Sequence, residues 1–205
     1  MPLVLAYHGC DLDTAQKLLG GSVFQPSQRD YDWLGEGSYF WENDILRAYQ
    51  WATEPRRNFS HPSVVGAAIE LGHCLDLTTQ SGIEAVKSAY QTFLQLAEWK
   101  GIAVPENSDP AESPEGDRVI RRLDCAVMNA LFEIAEQARV DDPTSRSYDA
   151  IRALFPEGNE LYPGAGFRNK THIQICVRNP EQILGVFRVP EWQLREFGLT
   201  SLYGV

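Results

Sequence analysis

The sequence is poor in basic residues and has no long apolar run. Its 205 residues include 18 Lys and Arg against 28 Asp and Glu, which gives a formal net charge of −10. An acidic surface repels phosphate backbones, which argues against broad electrostatic binding to nucleic acid. A local basic patch that guides a nucleic-acid substrate stays open, because net charge does not determine how charge is distributed. No segment approaches the roughly 18 apolar residues that a membrane-spanning helix needs. We therefore expect a soluble protein with no membrane partner.

Cysteine is also scarce, and its spacing predicts neither a disulfide framework nor a metal site. The four cysteines, which form no Cys-x-x-Cys pair, are Cys10, Cys74, Cys125 and Cys176. Scattered thiols, together with an N-terminus that lacks the features of a signal peptide, predict a cytoplasmic location. His61 and His73 have no ligand-like spacing to these thiols, so we expect no bound metal.

The order of the local patterns predicts a single α+β domain over residues 1–205. The segments with strand character are 3–7, 22–24, 38–41, 64–71, 74–77, 171–178 and 183–189. Helical spacing marks 14–19, 83–99, 119–135 and 190–197, and a further helix to about Thr53 that Asn43 is expected to cap. The two long central helices predict a helical insertion at about 80–155, in which 104–115 forms a loop.

Three segments place polar groups where strand patterns predict apolar ones. They are Tyr7-His8-Gly9, then Gly35-Glu36-Gly37-Ser38-Tyr39-Phe40, and the late run from His172 through Gln174 to Asn179-Pro180-Glu181-Gln182-Ile183. Each has an ordinary interpretation when taken singly: a turn after a strand, a glycine backbone requirement, or a half-exposed edge strand. Their order along one chain is the informative feature.

In that order the segments resemble the poly(ADP-ribose) polymerase and diphtheria-toxin branch of the ADP-ribosyltransferases. That branch is recognised by a His, a Tyr and usually a Glu on three separate strands. The resemblance covers roughly residues 5–55 and 165–190 and leaves the central helices unmatched. It implies an ADP-ribosyltransferase-like split antiparallel β-sandwich core, with NAD as co-substrate.

The resemblance assigns roles to three residues of the first two segments and to one tyrosine of the helix that follows them. It implies that His8 hydrogen-bonds a ribose hydroxyl on the adenosine side of NAD and that the backbone of Gly9 holds the nicotinamide carboxamide. Tyr39 is expected to stack on the nicotinamide ring. Tyr49 matches the second tyrosine that closes the other side of the ring, although a core position on its helix explains it equally well.

The third position departs from the family, because Gln174 stands where the glutamate is usual. A carboxylate there stabilises an oxocarbenium-like transition state, and an amide keeps the hydrogen bond but loses the charge. Three interpretations stay open. Gln174 supports slow single transfer, Glu157 or Glu160 supplies the missing charge, or the protein binds NAD without turning it over.

His172 shares a strand face with Gln174, and its pKa, expected near neutrality, suits proton removal from an acceptor. An ordinary edge-strand histidine is the alternative. Phe167 and Arg168, in the loop before the strand, are candidate acceptor contacts.

The function that this resemblance implies is mono-ADP-ribosylation of a macromolecule, protein or nucleic acid, by NAD. Small relatives include bacterial toxins of toxin–antitoxin and anti-phage systems, which implies an inhibitory partner protein. A non-catalytic NAD or ADP-ribose sensor and an NAD glycohydrolase are the alternatives. RNA 2′-phosphotransferase activity is more remote, because its additional His and Arg pattern is incomplete.

Overall fold

The computed structural model describes residues 3–110, 116–199 and 202–203. Its strands are β1 (Leu3–Asp11), β2 (Ser38–Glu42), β3 (Pro62–Glu70), β4 (Cys74–Asp76), β5 (Asn107–Ser108), β6 (Ile120–Arg121), β7 (Ala150–Phe155), β8 (His172–Val177) and β9 (Ile183–Arg188). Its helices are α1 (Leu12–Leu19), α2 (Ile45–Ala52), α3 (Gln80–Lys100), α4 (Arg122–Asp141) and α5 (Glu191–Glu196). The expected α+β class is confirmed.

Seven of the described strands form one sheet in the order β4-β7-β8-β2-β1-β3-β9. Neighbouring strands are antiparallel except β4 and β7, which are parallel. Nine residue pairs, from Leu3↔Glu70 to Asp11↔Pro62, join β1 to β3. The pairs that join β1 to β2 are just Ala6↔Glu42 and Tyr7↔Trp41. The sheet therefore nearly divides between β1 and β2, immediately before His8.

Two clusters of buried side chains pack against the sheet. Helices α1 and α2 pack on β1 and β3, where Tyr7 and Val64 are buried. Helices α3 and α4 pack together and cover the half that contains β4, β7 and β8, where Met128 and Ile151 are buried. The first cluster also includes Phe40 of β2 and Ile175 of β8, so it extends across the line where β1 and β2 separate. Cys176, the next residue of β8, belongs to the second cluster, and successive residues of this strand therefore face different cores.

The start of α2 differs from the prediction by one residue. Asp44, rather than Asn43, is the N-cap, and its carboxylate accepts a hydrogen bond from the backbone N–H of Arg47 at 2.8 Å. Asn43 instead adopts a positive φ of 50°, a conformation that asparagine tolerates better than most residues. This turn sets the direction in which α2 leaves the sheet.

The largest difference from the prediction concerns the helical insertion, which ends at Asp141 rather than near 155. Ala150–Phe155 forms β7 inside the sheet, between β4 and β8. Four of its six side chains are buried, so it lacks the alternation of a half-exposed strand. Two smaller expectations also changed. Residues 22–24 form no strand, and the predicted loop 104–115 contains β5 and extends over 111–115, which lie outside the described residues.

None of the helices within the described ranges combines the length and apolar character needed to cross a membrane.

Candidate functional site

A cleft of about 480 Å³ opens where the sheet divides. Its walls come from β1, β2, β7 and β8, from α2 with the turn after it, and from the loop at residues 25–33. Three residues singled out from the sequence, His8, Tyr39 and Gln174, all line it. Its volume lies in the range of ordinary small-molecule sites.

His8 presents a hydrogen-bond acceptor to this cleft. Its Nδ1 lies 2.8 Å from the carbonyl oxygen of Tyr39, which can only accept, so Nδ1 carries the proton. Burial lowers the pKa of His8 below its usual 6.5, which favours the neutral ring. The rings of Phe24 and Phe40 pack 5.2 and 5.6 Å away, centroid to centroid. Nε2 is therefore a lone-pair acceptor on a ring that cannot turn freely.

The ring of Tyr39 is held at its far end by two backbone groups. Its hydroxyl donates to the carbonyl of Gly35 at 2.7 Å and accepts from the N–H of Leu34 at 3.0 Å. Gly35 has a φ of 79°, which confirms the expectation that a glycine is needed in this turn. Burial raises the pKa of Tyr39 well above its usual value. The side chain thus presents a fixed, uncharged aromatic surface.

Gln174 has a defined amide orientation. The indole N–H of Trp33 donates to its Oε1 at 2.6 Å. An indole N–H is only a donor, so the oxygen must face Trp33 and the NH₂ group must face away from it. Gln174 therefore offers the cleft mainly donors, whereas a glutamate there would offer an acceptor with a negative charge.

Three further polar side chains of the same cleft form a buried cluster. Arg47 of α2 pairs with Glu157 at 2.6 Å, and their side chains are 8% and 14% exposed. The Nδ1 of His172 lies 2.7 Å from the carbonyl of Lys170, and its ring stacks on Phe155 with centroids 5.4 Å apart. All three of the clustered residues line the cleft.

The proton of His172 is on Nδ1, because the short contact to a carbonyl requires a donor. Arg47 Nε lies 3.5 Å from the same nitrogen and cannot bond to it at the same time. Burial, and then the nearby charges of Arg47 and Arg121, lower the pKa of His172 to about 4. The expectation of a pKa near neutrality is therefore wrong, and His172 is uncharged at pH 7. Its Nε2 is buried without a hydrogen-bond partner in the described structure.

Several predicted site residues lie elsewhere. Glu160, offered as a source of negative charge, is on an exposed loop where it accepts a hydrogen bond from the N–H of Gly164 at 2.8 Å. Tyr49 packs against the core beside β1 and does not line the cleft. The helical turn brings Trp51, two residues later, to that wall instead. Arg168 pairs with the buried Asp117, outside the cleft.

Gly9 also has a packing role that the sequence did not reveal. It does not line the cleft, and a Cβ at this position would overlap the carbonyl oxygen of Ala48 in α2. Phe167, the other candidate acceptor contact, is 66% exposed and lies away from the cleft walls. No group of three or more His, Cys, Asp or Glu side chains in the described ranges is arranged to hold a metal ion.

The cleft is positive although the protein is acidic. It is lined by Arg29, Arg47, Arg56, Arg57 and Arg122, against Asp32, Glu54 and Glu157. Sequence reasoning missed Arg47, because it lies off the apolar face of Ile45, Ala48 and Ala52 and carries no periodic signal. A positive cleft in an acidic protein favours an anionic ligand.

Comparison with known proteins adds one relative. The chain is similar to the uncharacterized protein MJ0359 of Methanocaldococcus jannaschii, at 26% identity over 201 residues, covering 86% of this chain and 83% of that protein. No protein-family model and no solved structure matches the chain.

Proposed function

We propose that the protein is a mono-ADP-ribosyltransferase that binds NAD in this cleft and transfers ADP-ribose to a macromolecule. The observation that carries the proposal is the meeting of His8, Tyr39 and Gln174 in one cleft, from three strands far apart in sequence. The near-division of the sheet between β1 and β2 supports an ADP-ribosyltransferase-like core. The proposal includes an inhibitory partner protein, as toxins of this kind require.

The fixed geometry of His8 and Tyr39 suits two separate parts of NAD, the ribose on the adenosine side and the nicotinamide ring. The neutral Nε2 of His8 accepts a hydrogen bond, which fits a ribose hydroxyl and would repel a carboxylate oxygen. The restrained ring of Tyr39 loses little freedom when a flat, positively charged nicotinamide stacks on it. Both residues therefore select for the substrate without moving.

The reaction breaks the bond between ribose C1′ and the nicotinamide nitrogen. The electron pair of that bond neutralises the pyridinium ring, and nicotinamide leaves. A lone pair of the acceptor then bonds to C1′, and the acceptor loses its proton to solvent or to a neighbouring base. Positive charge builds up on the ribose meanwhile, so a carboxylate nearby lowers the barrier.

Glu157, one of the two glutamates that the sequence offered for this role, lines the cleft, but it is paired with Arg47. The NH₂ group of Gln174 provides no negative charge. Both features predict a slow reaction, and they favour a second candidate function, a sensor that binds NAD or ADP-ribose without turning it over.

The deciding experiment incubates purified protein with adenylate-labelled NAD and cell lysate, and measures free nicotinamide and labelled macromolecule. A transferase yields both, a glycohydrolase yields nicotinamide alone, and a sensor binds NAD but releases nothing. Tyr39→Ala and His8→Ala should abolish activity and weaken NAD binding. Glu160→Gln, an exposed change outside the cleft, is the matched control and should retain activity. Unlabelled macromolecules and unchanged NAD would refute the transferase.

Gln174→Glu tests the third position directly. A carboxylate still accepts the hydrogen bond from Trp33, so the fold should tolerate the change. It should raise the rate of nicotinamide release by on the order of a hundredfold, which is the usual worth of one such preorganised group. A rate that does not rise would show that Gln174 does not stand beside the reacting ribose.

A further inference from the structure

One wall of the cleft carries three arginine side chains at positions to which neither the sequence nor the proposed reaction assigns a role. Arg56 and Arg57 lie in the 3₁₀ turn after α2, and Arg29 lies in the loop that faces this turn. The charges of Arg56 and Arg29 both act on Arg57. The three therefore form one electrostatic unit, here called the arginine wall.

The arginine wall has more positive than negative charge. Glu54 is shared by two arginines, at 2.6 Å from Arg56 Nε and 3.7 Å from Arg57 Nε. The guanidinium of Arg29 contacts the hydroxyl of Tyr31 at 2.9 Å and forms no ion pair with a described residue. Among the described residues Glu54 is the carboxylate that forms ion pairs with these guanidinium groups, whereas Asp32 accepts a hydrogen bond from the backbone N–H of Arg29 at 2.8 Å. With both carboxylates counted, the wall keeps an excess of positive charge for a ligand to neutralise.

The guanidinium group of Arg57 has a restrained orientation. Its guanidinium lies 3.7 Å from the centroid of the Trp51 ring, and its side chain is 11% exposed. Its buried Nε has no hydrogen-bond partner among the described residues. Burial, and then the charge of Arg56, lower the pKa of Arg57 to about 10, which still leaves it charged at pH 7. Stacking fixes the plane of the group, so its edge is oriented before a ligand arrives.

We propose that the arginine wall is a diphosphate-binding subsite. A diphosphate carries at least two negative charges and several acceptor oxygens, which match planar guanidinium groups with fixed edges. The inference of a diphosphate site depends on the charge and orientation of these arginines and not on the proposed function. Its assignment to the diphosphate of NAD rests on the proposed function, because His8 and Tyr39 would then hold the ribose and nicotinamide in the same cleft.

Titration calorimetry with the full protein tests the subsite without any turnover. The probes are inorganic pyrophosphate and ADP-ribose, with adenosine as the ligand that lacks phosphate. Pyrophosphate and ADP-ribose should bind, and their affinity should fall as salt concentration rises. Arg57→Gln and Arg56→Gln should each weaken both by about tenfold or more, the usual effect of losing one hydrogen bond to a charged group. Adenosine binding should not change.

A control variant and the exposure of Arg56 make the result decisive. Arg139→Gln, on the exposed surface of α4 and outside the cleft, removes the same charge and should leave pyrophosphate binding unchanged. Arg56 is 51% exposed, so Arg56→Gln keeps the test valid if Arg57→Gln fails to fold. Equal weakening by Arg56→Gln and Arg139→Gln would show a general charge effect and overturn the subsite.

The outcomes for the subsite and for the proposed function are separate. Pyrophosphate binding that depends on Arg56 and Arg57, without any NAD binding, would support the subsite and refute the transferase. NAD turnover that is insensitive to both arginines, with no pyrophosphate binding, would refute the subsite and leave the transferase in place.

Discussion

Acid should destabilise this protein through one buried side chain, His172. The pKa of the ring is about 4 in the folded protein, compared with 6.5 for an ordinary histidine. The difference of about 2.5 units corresponds to about 3 kcal/mol of unfolding free energy. Between these two values the unfolded chain binds a proton that the folded protein does not. The contribution of His172 to the free energy of unfolding is therefore fully present above pH 6.5. It declines as the pH falls from 6.5 towards 4 and does not change further below pH 4.

The assay is urea unfolding, followed by tryptophan fluorescence, at several pH values from 7.5 to 4.5. His172→Asn is the comparison, because its amide N–H can replace the donor that now faces the Lys170 carbonyl but does not titrate. Other groups that titrate in this range, including His8, are present in both proteins and cancel in the difference.

The unfolding free energy of the wild type should fall relative to His172→Asn by about 2 kcal/mol between pH 7 and pH 5. The variant is expected to be less stable than the wild type at neutral pH, and the pH dependence rather than the offset is the result that matters. Parallel curves for the two proteins would refute the assignment of a buried, neutral imidazole at this position.

Three other experiments test the packing and polar contacts around the cleft. Gly9→Ala should cost about 3 kcal/mol or more in urea unfolding, since the new methyl overlaps the backbone of α2, whereas Gly185→Ala, with nothing near its Cβ, should cost far less. Tyr39→Phe should cost about 1–3 kcal/mol and weaken NAD binding, because two backbone groups lose their partner; an unchanged midpoint would contradict these hydrogen bonds. Arg47→Met and Glu157→Gln should each cost about 3–5 kcal/mol, and the double variant less than their sum. Additive losses in that double-mutant cycle would show that the two residues do not interact.

Local patterns were sufficient for most of the elements that build the cleft. β1, β2 and β8 were predicted because each combines apolar or aromatic residues with a glycine or proline turn at its end. The predicted first strand ended at Tyr7, whereas β1 continues through His8 to Asp11. His8 reaches the cleft because the pairing of β1 with β2 stops at Tyr7. β7 was missed because a strand buried on both faces has no alternation, and its six residues resemble a short helical segment.

Choosing among nearby candidates required the tertiary structure. Tyr49 and Trp51 are both aromatic residues of α2, and only the rotation of the helix against β1 decides that Trp51 reaches the cleft. Glu157 and Glu160 are three residues apart before β8, and the turn of the loop buries one and exposes the other. Sequence spacing does not determine these orientations, because loops take their shape from what they pack against.

The amino-acid sequence by itself determined an acidic α+β protein in which His8, Tyr39 and Gln174 stand on separate strands, because strand and turn chemistry is local. The tertiary structure alone decided that Arg47 and Glu157, 110 residues apart, form a buried ion pair and that the amide of Gln174 turns its oxygen to Trp33. Residues so far apart in sequence meet only when the strands and helices that carry them pack together. The electrostatics of the cleft depend on these contacts.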